Sequence, residues 1–438
     1  MSGPYAVPSD RLERRFQEKN PPLAPGAARR EAERCLYCAD APCITACPTR
    51  IDVPTFIKRI ASGHVRGAAR TILEANVLGA TCARVCPVEV LCEGACVWVR
   101  EDRPAIAIGR LQRYALDEGA TPGLLPQAAP SGKSVGLVGA GPASLACAGR
   151  LALHGHSAVL YEKRGLPGGL ATTGVAPYKF RTEDALREVD FVRSLGVTIR
   201  TGVTIGEDVT VDELLATHEA VFLGPGLGPD SRLGIPGEEG PGVVGAVEWI
   251  ERMKNGEGGS LENVERALIV GGGNTAVDAA RALRGLGVPS VQFAYRRSER
   301  EMKAYDHELW AAKQEGAVVL DRTAVAEVLR RGGSASAVRL VHTDGDGKPT
   351  SREIATIPMD LVVLAIGQAR LVELVRRFPG VELDARGRIV ADPVTGRTGN
   401  PRVFAGGDAR NGGKEVVNAV AEGQAAADAI DSMLRGES

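Results

Sequence analysis

Apolar and polar positions follow two different patterns along the chain, and the change falls near residue 130. Residues 1–30, rich in Pro, Arg and Ala, read as an extended arm. Residues 31–118 read as short helices between cysteine loops. Ile51-Asp52-Val53-Pro54 leads into a helix over Thr55–Ser62, and a second covers Arg66–Asn76. Residues 119–133 are a Pro/Gly/Ala linker. The pattern then becomes strand, glycines, helix, strand. Ser134–Gly139 is a short β-rich run ending in glycines, and a second strand covers Ala158–Glu162. The same order restarts at Ala267–Gly273 and closes on a strand at Val291–Tyr295. Two such units predict two nucleotide-binding domains of α/β class. Leu361–Gly367 reads as a buried strand returning from the second domain. Val403–Ala405 reads as another strand, ahead of a helix from about Val417 to Leu434.

Composition supports this reading. Glycine accounts for 54 of 438 residues and aromatics for 4%, as an α/β protein with many tight turns requires and a β-sandwich does not. Lys plus Arg (53) nearly balance Asp plus Glu (54), a net charge of −1. That argues against a protein built to hold nucleic acid or an anionic membrane. Met1–Arg15 is polar and no apolar run reaches the 18 or so residues of a membrane span, so a cytoplasmic protein is expected. Eight of the nine cysteines fall between Cys35 and Cys96, a density unlike that of a secreted disulfide framework.

The first glycine motif, Gly139-Ala140-Gly141-Pro142-Ala143-Ser144, is a G-x-G-x-x-S fingerprint between strand and helix. Gly139 permits the tight turn, Gly141 lets the backbone approach a pyrophosphate, and the helix N-terminus favours an anion. Glu162 ends the next strand 21 residues after Gly141, where an acid binds a ribose 2′-hydroxyl. The second motif, Gly271-Gly272-Gly273-Asn274-Thr275-Ala276, is followed after its next strand by Arg296 and Arg297 instead of an acid. Facing a 2′-phosphate, that pair favours NADPH over NADH. The alternative is a solvated charge run, since 296–303 is charged almost throughout. Asp408, at a strand end beside a helix, is placed to bond a ribityl hydroxyl of FAD.

Cys147 is the only cysteine of the two nucleotide units, on an apolar helix face. It reads as a core residue, so no local dithiol can take electrons. The cysteine-dense region supplies another exit. Cys35-x2-Cys38-x4-Cys43-x3-Cys47-Pro48 and Cys82-x3-Cys86-Pro87, followed by Cys92-x3-Cys96, have the spacing of interleaved [4Fe–4S] clusters. Structural zinc is the alternative that paired cysteines leave open.

Taken together, the segments 35–48, 81–96, 106–114, 138–144, 161–170, 271–278 and 403–408 resemble a family over nearly the whole chain. Its members are the glutamate synthase small (β) subunits and the N-terminal half of dihydropyrimidine dehydrogenase, the flavin subunits of the bacterial two-subunit dehydrogenase being nearest. The resemblance implies an α/β flavoprotein of two dinucleotide-binding domains, the NAD(P) domain inserted in the FAD domain, preceded by an α-helical domain with two [4Fe–4S] clusters. The expected divisions are 1–130 for the iron–sulfur domain, 131–240 and 369–438 for the FAD domain, and 241–368 for the NAD(P)H domain. It implies one cluster on Cys35, Cys38, Cys43 and Cys96, and a second on Cys47, Cys86, Cys92 and Gln112, with Cys82 the alternative eighth ligand. FAD contacts carry over to Ala140–Ser144, Glu162, Lys163, Gly169, Leu170, Lys179, Gly407 and Asp408. NADPH contacts carry over to Asn274, Thr275, Arg296, Arg297, Lys303, Ala365 and Gly367, with Gly271 and Gly273 in the loop. The family's I-P-x-[FY]-[RK] stretch is here Val175-Ala176-Pro177-Tyr178-Lys179, with the proline displaced.

The expected activity is electron input from NADPH through FAD and the clusters to a larger partner subunit. No length remains for an FMN barrel, and the Met1-Ser2 start offers no N-terminal cysteine for a glutaminase. Pyrimidine reduction on an FMN/iron–sulfur subunit is the first expectation, because of Gln112 and the Ile108–Arg113 stretch. Glutamate synthesis with a large partner is the second, because of 294–302. A zinc-stapled nucleotide sensor is the non-enzymatic alternative.

Overall fold

The computed structural model describes Tyr5 and residues 7–121, 123–256, 261 and 263–437. Thirteen strands among them form three sheets. In chain order they are β1 (Ser134–Val138), β2 (Ser157–Glu162), β3 (Thr198–Thr201), β4 (Ala220–Leu223), β5 (Val243–Gly245), β6 (Arg266–Val270), β7 (Ser290–Ala294), β8 (Val318–Leu320), β9 (Thr323–Arg331), β10 (Ser334–Thr343), β11 (Pro349–Pro358), β12 (Leu361–Leu364) and β13 (Val403–Ala405).

The first sheet runs β13-β4-β1-β2-β3 and the second β5-β12-β6-β7-β8, both parallel throughout. Each glycine motif follows the strand at which the chain's progression across the sheet reverses: β1, between β4 and β2, and β6, between β12 and β7. A crevice opens at such a switch point, at the carboxyl ends of the strands. The strands are apolar runs buried on both faces, as a doubly covered parallel sheet requires. β9, β10 and β11 form an antiparallel meander that packs Val325, Val338 and Leu340 against Leu268 and Val362 of the second sheet. The sequence reading did not anticipate this sheet.

The N-terminal part is helical. The expected helix after Pro54 spans Val53–Ala61, capped by Asp52, whose Oδ1 accepts from the Thr55 N–H at 3.1 Å. Val53, Phe56, Ile57 and Ile60 form its buried stripe. The next helix is Val65–Ala75, and Ile108–Gly119 crosses it so closely that a Cβ on Gly119 would lie 2.6 Å from the Val65 carbonyl oxygen. Val77 of this region packs on Gly149 of the helix Pro142–Leu153, so the helical part shares one core with the first sheet.

Two expectations are corrected. The arm is not extended throughout: 3₁₀ turn Leu12–Arg15 and helix Pro25–Glu33 lie within 1–33, the latter opened by Pro25 at its first turn and carried by Ala, Arg and Glu. Arg11, Glu13 and Phe16 of the arm are buried. Phe16 sits among Tyr178 of the first unit and Ile250, Met253 and Ala282 of the second. The expected linker is a bound strap. Leu124 and Leu125 are buried, and the Ala128 and Ser131 N–H groups donate to the Leu153 and Gly155 carbonyls; Pro122 lies outside the described residues.

Candidate functional site

The two glycine cradles are built alike. Gly139 has φ +85°, and a Cβ there would lie 2.8 Å from the Gly224 carbonyl oxygen at the end of β4. Gly271 has φ +137°, and a Cβ there would lie 2.3 Å from the Ala365 carbonyl oxygen at the end of β12. In both, the turn presses on the strand across the switch point, which only glycine permits. The positions in front of the helices are open. A Cβ on Gly141 would meet only the Gly169 Cα, at 3.9 Å, and one on Gly273 would meet nothing within 4 Å. Those are the places a dinucleotide's pyrophosphate would fill.

In the first cradle Glu162 Oε2 accepts from the Ala140 N–H at 2.8 Å and Oε1 from the Arg164 N–H at 2.9 Å. Ser144 is fully buried and its hydroxyl lies 3.4 Å from the carbonyls of Val138 and Gly224, so it serves packing at the place of the third glycine. Gly169 lies against Gly141, Leu170 opens the short helix Leu170–Thr173, and Lys163 is exposed. Gly407 (φ +70°) abuts Ala143, and its N–H donates to Glu422 Oε2 at 2.7 Å. Asp408 follows, its carboxyl raised above the ordinary range by burial. Glu422 and the Gly224-Pro225 turn were missed by sequence reasoning, although the glycine-rich run 224–228 after an apolar strand was a signal.

In the second cradle Asn274 and Thr275 open the helix Asn274–Gly285. The Lys303 N–H donates to the Gly272 carbonyl at 2.9 Å, which brings the charged 296–303 segment back to the glycine loop. Tyr295 is buried against Gly272, Arg296 is exposed and Arg297 half-buried. Neither guanidinium has an ion-pair partner among the described residues. Gly367, at φ +109°, has open space before it.

Lys179 lies between the units. Its ammonium is 2.7 Å from Asp278 Oδ1 and 3.2 Å from Glu308 Oε1, and Lys19 of the arm reaches the same Glu308 oxygen at 2.6 Å. Burial opposes its charge, but the two carboxylates outweigh burial and raise its pKa. Carried over as an FAD contact, it is engaged here by the second unit.

The helical part brings the cysteines into two pockets. The first encloses about 380 Å³ of empty space and is lined by Cys35, Cys38, Cys43 and Cys96 with Val53, Ile57, Trp98, Ile106 and Ile108. The second encloses about 360 Å³ and is lined by Cys47, Cys82, Cys86 and Cys92 with Asn76, Gln112, Gly109 and Val417. Thus Cys96 joins a trio 53 residues upstream, and Cys47 leaves its sequence neighbours for the other pocket. Asn76 Nδ2 lies 3.2 Å from Cys82 Sγ, and Gln112 Nε2 donates to the Gly79 carbonyl at 2.7 Å; all four residues are buried. Cys147 is a fully buried core residue, as expected.

The donor set suits a group larger than an ion. Among the described residues, no three His, Cys, Asp or Glu side chains are disposed to hold a single metal ion, whereas each pocket gathers at least three thiols around empty space. Burial pushes the Cys43 thiol up to about 11 and raises Cys35 and Cys92. Cys86 is raised by the Cys82 thiol beside it and by burial. Such thiols ionise only when a cationic group supplies the compensating charge, as an iron–sulfur core does. Among the described residues no helix is long and apolar enough to cross a membrane.

Comparison with known proteins accords with both halves of this arrangement. Residues 12–123 match the family described as dihydropyrimidine dehydrogenase domain II, 4Fe-4S cluster, and residues 133–423 match the pyridine nucleotide-disulphide oxidoreductase family. The glutamate synthase [NADPH] small chain of Escherichia coli (strain K12) is 33% identical over 446 residues, 96% of this chain and 94% of its own. The NAD-dependent dihydropyrimidine dehydrogenase subunit PreT of Escherichia coli O157:H7 is 35% identical over 425 residues, 96% of this chain and 98% of its own. Among solved structures, the thioredoxin reductase of T. acidophilum superposes with a TM-score of 0.57 at 23% identity, over 69% of this chain and 99% of its own, which shows the shared fold.

Proposed function

The chain belongs to the pyridine nucleotide-disulphide oxidoreductase family and carries a 4Fe-4S domain ahead of it, and on that premise we propose that it is the electron-input subunit of a larger enzyme. It is an NAD(P)H-dependent flavin and iron–sulfur oxidoreductase; the division of labour among its residues is the proposal. FAD lies in the first cradle, on Gly139–Ser144, Glu162, Gly169, Leu170, Gly407 and Asp408, with Lys163 at the rim. NADPH lies in the second, on Gly271, Gly273, Asn274, Thr275, Ala365 and Gly367, with Arg296, Arg297 and Lys303 toward a 2′-phosphate. The clusters are held by Cys35, Cys38, Cys43 and Cys96, and by Cys47, Cys86, Cys92 and Gln112.

When bound, these groups supply hydride transfer from nicotinamide to flavin and single-electron transfer onward. The chain's own contribution is positional. Gly141 and Gly273 admit a pyrophosphate to bare backbone. Glu162, whose two oxygens each accept one main-chain bond, keeps lone pairs for a ribose hydroxyl. The two arginines, with no ion-pair partner among the described residues, are available to a dianion.

The observation that carries the reading is the pairing of two open cradles with two thiol pockets in one molecule. Relatives named for dihydropyrimidine dehydrogenase and for glutamate synthase stand equally near. Gln112 at the second pocket favours pyrimidine reduction with an FMN/iron–sulfur partner, and the 294–302 stretch favours glutamate synthesis with a large partner. The deciding experiment is purification with the co-expressed partner. Uracil-dependent NADPH oxidation, with none on 2-oxoglutarate plus glutamine, selects the first reading, and the reverse selects the second. Colourless protein holding zinc would reject both. Arg296→Glu with Arg297→Glu is expected to lower NADPH turnover at least tenfold and to spare NADH; equal changes with both nucleotides would remove the 2′-phosphate assignment.

A further inference from the structure

Tyr305 stands where the three parts of the molecule meet. It immediately precedes the helix Asp306–Gln314, and its N–H donates to Asn274 Oδ1 at 3.0 Å, at the start of the second-cradle helix. Its hydroxyl donates to Glu415 Oε1 at 2.7 Å. Glu415 precedes the last helix, Val416–Arg435, which follows the Gly407-Asp408 edge of the first cradle and lends Val417 to the second cysteine pocket. His307 stacks on the Tyr305 ring, with centroids 5.8 Å apart and planes 13° apart, and its Nε2 lies 3.6 Å from Glu89 Oε2, in the turn between Cys86 and Cys92. The Glu415 side chain does not cap its own helix. It reaches across to the other unit, where a neutral hydroxyl meets a carboxylate in a short, charge-assisted bond.

One side chain and its own backbone thus tie the opening residue of the second cradle to the closing segment of the first. We propose that Tyr305 is a positioning residue that fixes how closely the second cradle approaches the first, acting through its hydrogen bond to Glu415. This rests on the reading that the cradles hold NADPH and FAD. Hydride transfer is steep in distance, and a misplacement of about 1 Å can cost about 10²-fold, so a strut between the cradles matters even where it touches neither reacting atom.

The test uses the holoprotein and compares Tyr305→Phe, Glu415→Ala and Glu415→Gln with the wild type. Tyr305→Phe keeps the ring, the His307 stack and the main-chain bond to Asn274, and Glu415→Gln keeps an acceptor oxygen. The first readout needs no turnover: the perturbation of the oxidised flavin's visible spectrum on adding NADP+. Its amplitude is expected to fall by half or more in Tyr305→Phe and Glu415→Ala, with the NADP+ Kd unchanged within about twofold. Glu415→Gln should match the wild type. The second readout is anaerobic flavin reduction, slowed about tenfold with NADPH and unchanged with dithionite, which bypasses the second cradle. Wild-type amplitude and rate in Tyr305→Phe would overturn the proposal, and so would equal slowing with dithionite. A wild-type protein without a flavin spectrum, or without any response to NADP+, would instead overturn the functional reading on which it rests.

Discussion

The two cysteine pockets differ in what completes them. The first has four thiols and otherwise apolar walls, so its donors and its needs are matched. The second has four thiols and two side-chain amides around a similar space, more donors than one cluster takes. Cys82 and Gln112 differ in how their side chains are engaged. The Asn76 amide, which lines the same pocket, donates to Cys82 Sγ, in a helix (Gly79–Val85) whose C-terminal end delivers Cys86. Gln112 has its amide nitrogen committed to the Gly79 carbonyl, which leaves its oxygen as the atom free to act as ligand. On the proposed assignment, a neutral oxygen in place of a thiolate would make the second cluster less negative and raise its potential relative to an all-thiolate site. Two sites of similar size would then differ in potential through one side chain.

The largest effect is expected on the matched pocket. Cys43→Ser removes one of four equivalent donors with no substitute nearby, and should cost about half the iron, about four of eight atoms per chain. Iron and sulfide analysis checks it, with the second cluster's spectroscopic signal intact. Loss of both signals would mean the pockets do not assemble independently. Within the second pocket Cys92→Ser should behave likewise, whereas Cys82→Ala should leave the iron content unchanged. Gln112→Ala is intermediate: the cluster is retained by exchanging its ligand for Cys82, and its potential falls. If Cys82→Ala loses iron and Gln112→Ala does not, the ligand assignment is reversed.

The legible and illegible parts of this molecule separate by range. Strands β1, β2, β6 and β7 and both cradles could be read because strand, turn and helix N-terminus are contiguous, and the helices Val53–Ala61, Val65–Ala75 and Val416–Arg435 fall within two residues of expectation. The grouping of Cys96 with Cys35 was not legible from spacing; it came from the family resemblance, because interleaved and consecutive pairings use the same residue types. Nothing local marks Tyr305 and Glu415 as partners, since 110 residues separate them. The arm failed as an extended segment for a similar reason. Its buried Arg11 and Glu13 are paired at 2.6 Å, with the half-exposed Glu183 beside Arg11 and the charge of the buried Lys254 nearby, both contributed by segments far along the chain. In sequence alone those charges read as surface.

The smallest effect concerns what seats the second pocket. Glu188, on the helix Thr182–Ser194 of the first unit, is buried. Its carboxylate accepts from the Ala80 N–H at 2.7 Å, from the Thr81 N–H and from the Thr81 hydroxyl, at the first turn of the helix that carries Cys82. Burial pushes its pKa up to about 7, against the lowering by the Thr81 and Ala80 bonds. A folded-state value above the unfolded one means that the folded chain binds more protons between about 4.5 and 7. Its contribution is therefore greatest below that window and is lost as pH rises through 7. The upper limit is about 3 kcal/mol, and relaxation around the helix N-terminus will leave less. Glu188→Gln keeps an acceptor oxygen and removes the titration. Its Tm should fall less than that of the wild type between pH 5 and 7.5, by a few degrees. Other titrating groups are common to both proteins and cancel in the difference. Parallel Tm–pH curves would show that the seat of the second pocket is insensitive to this charge, leaving Gln112 and Cys82 as what sets it apart from the first.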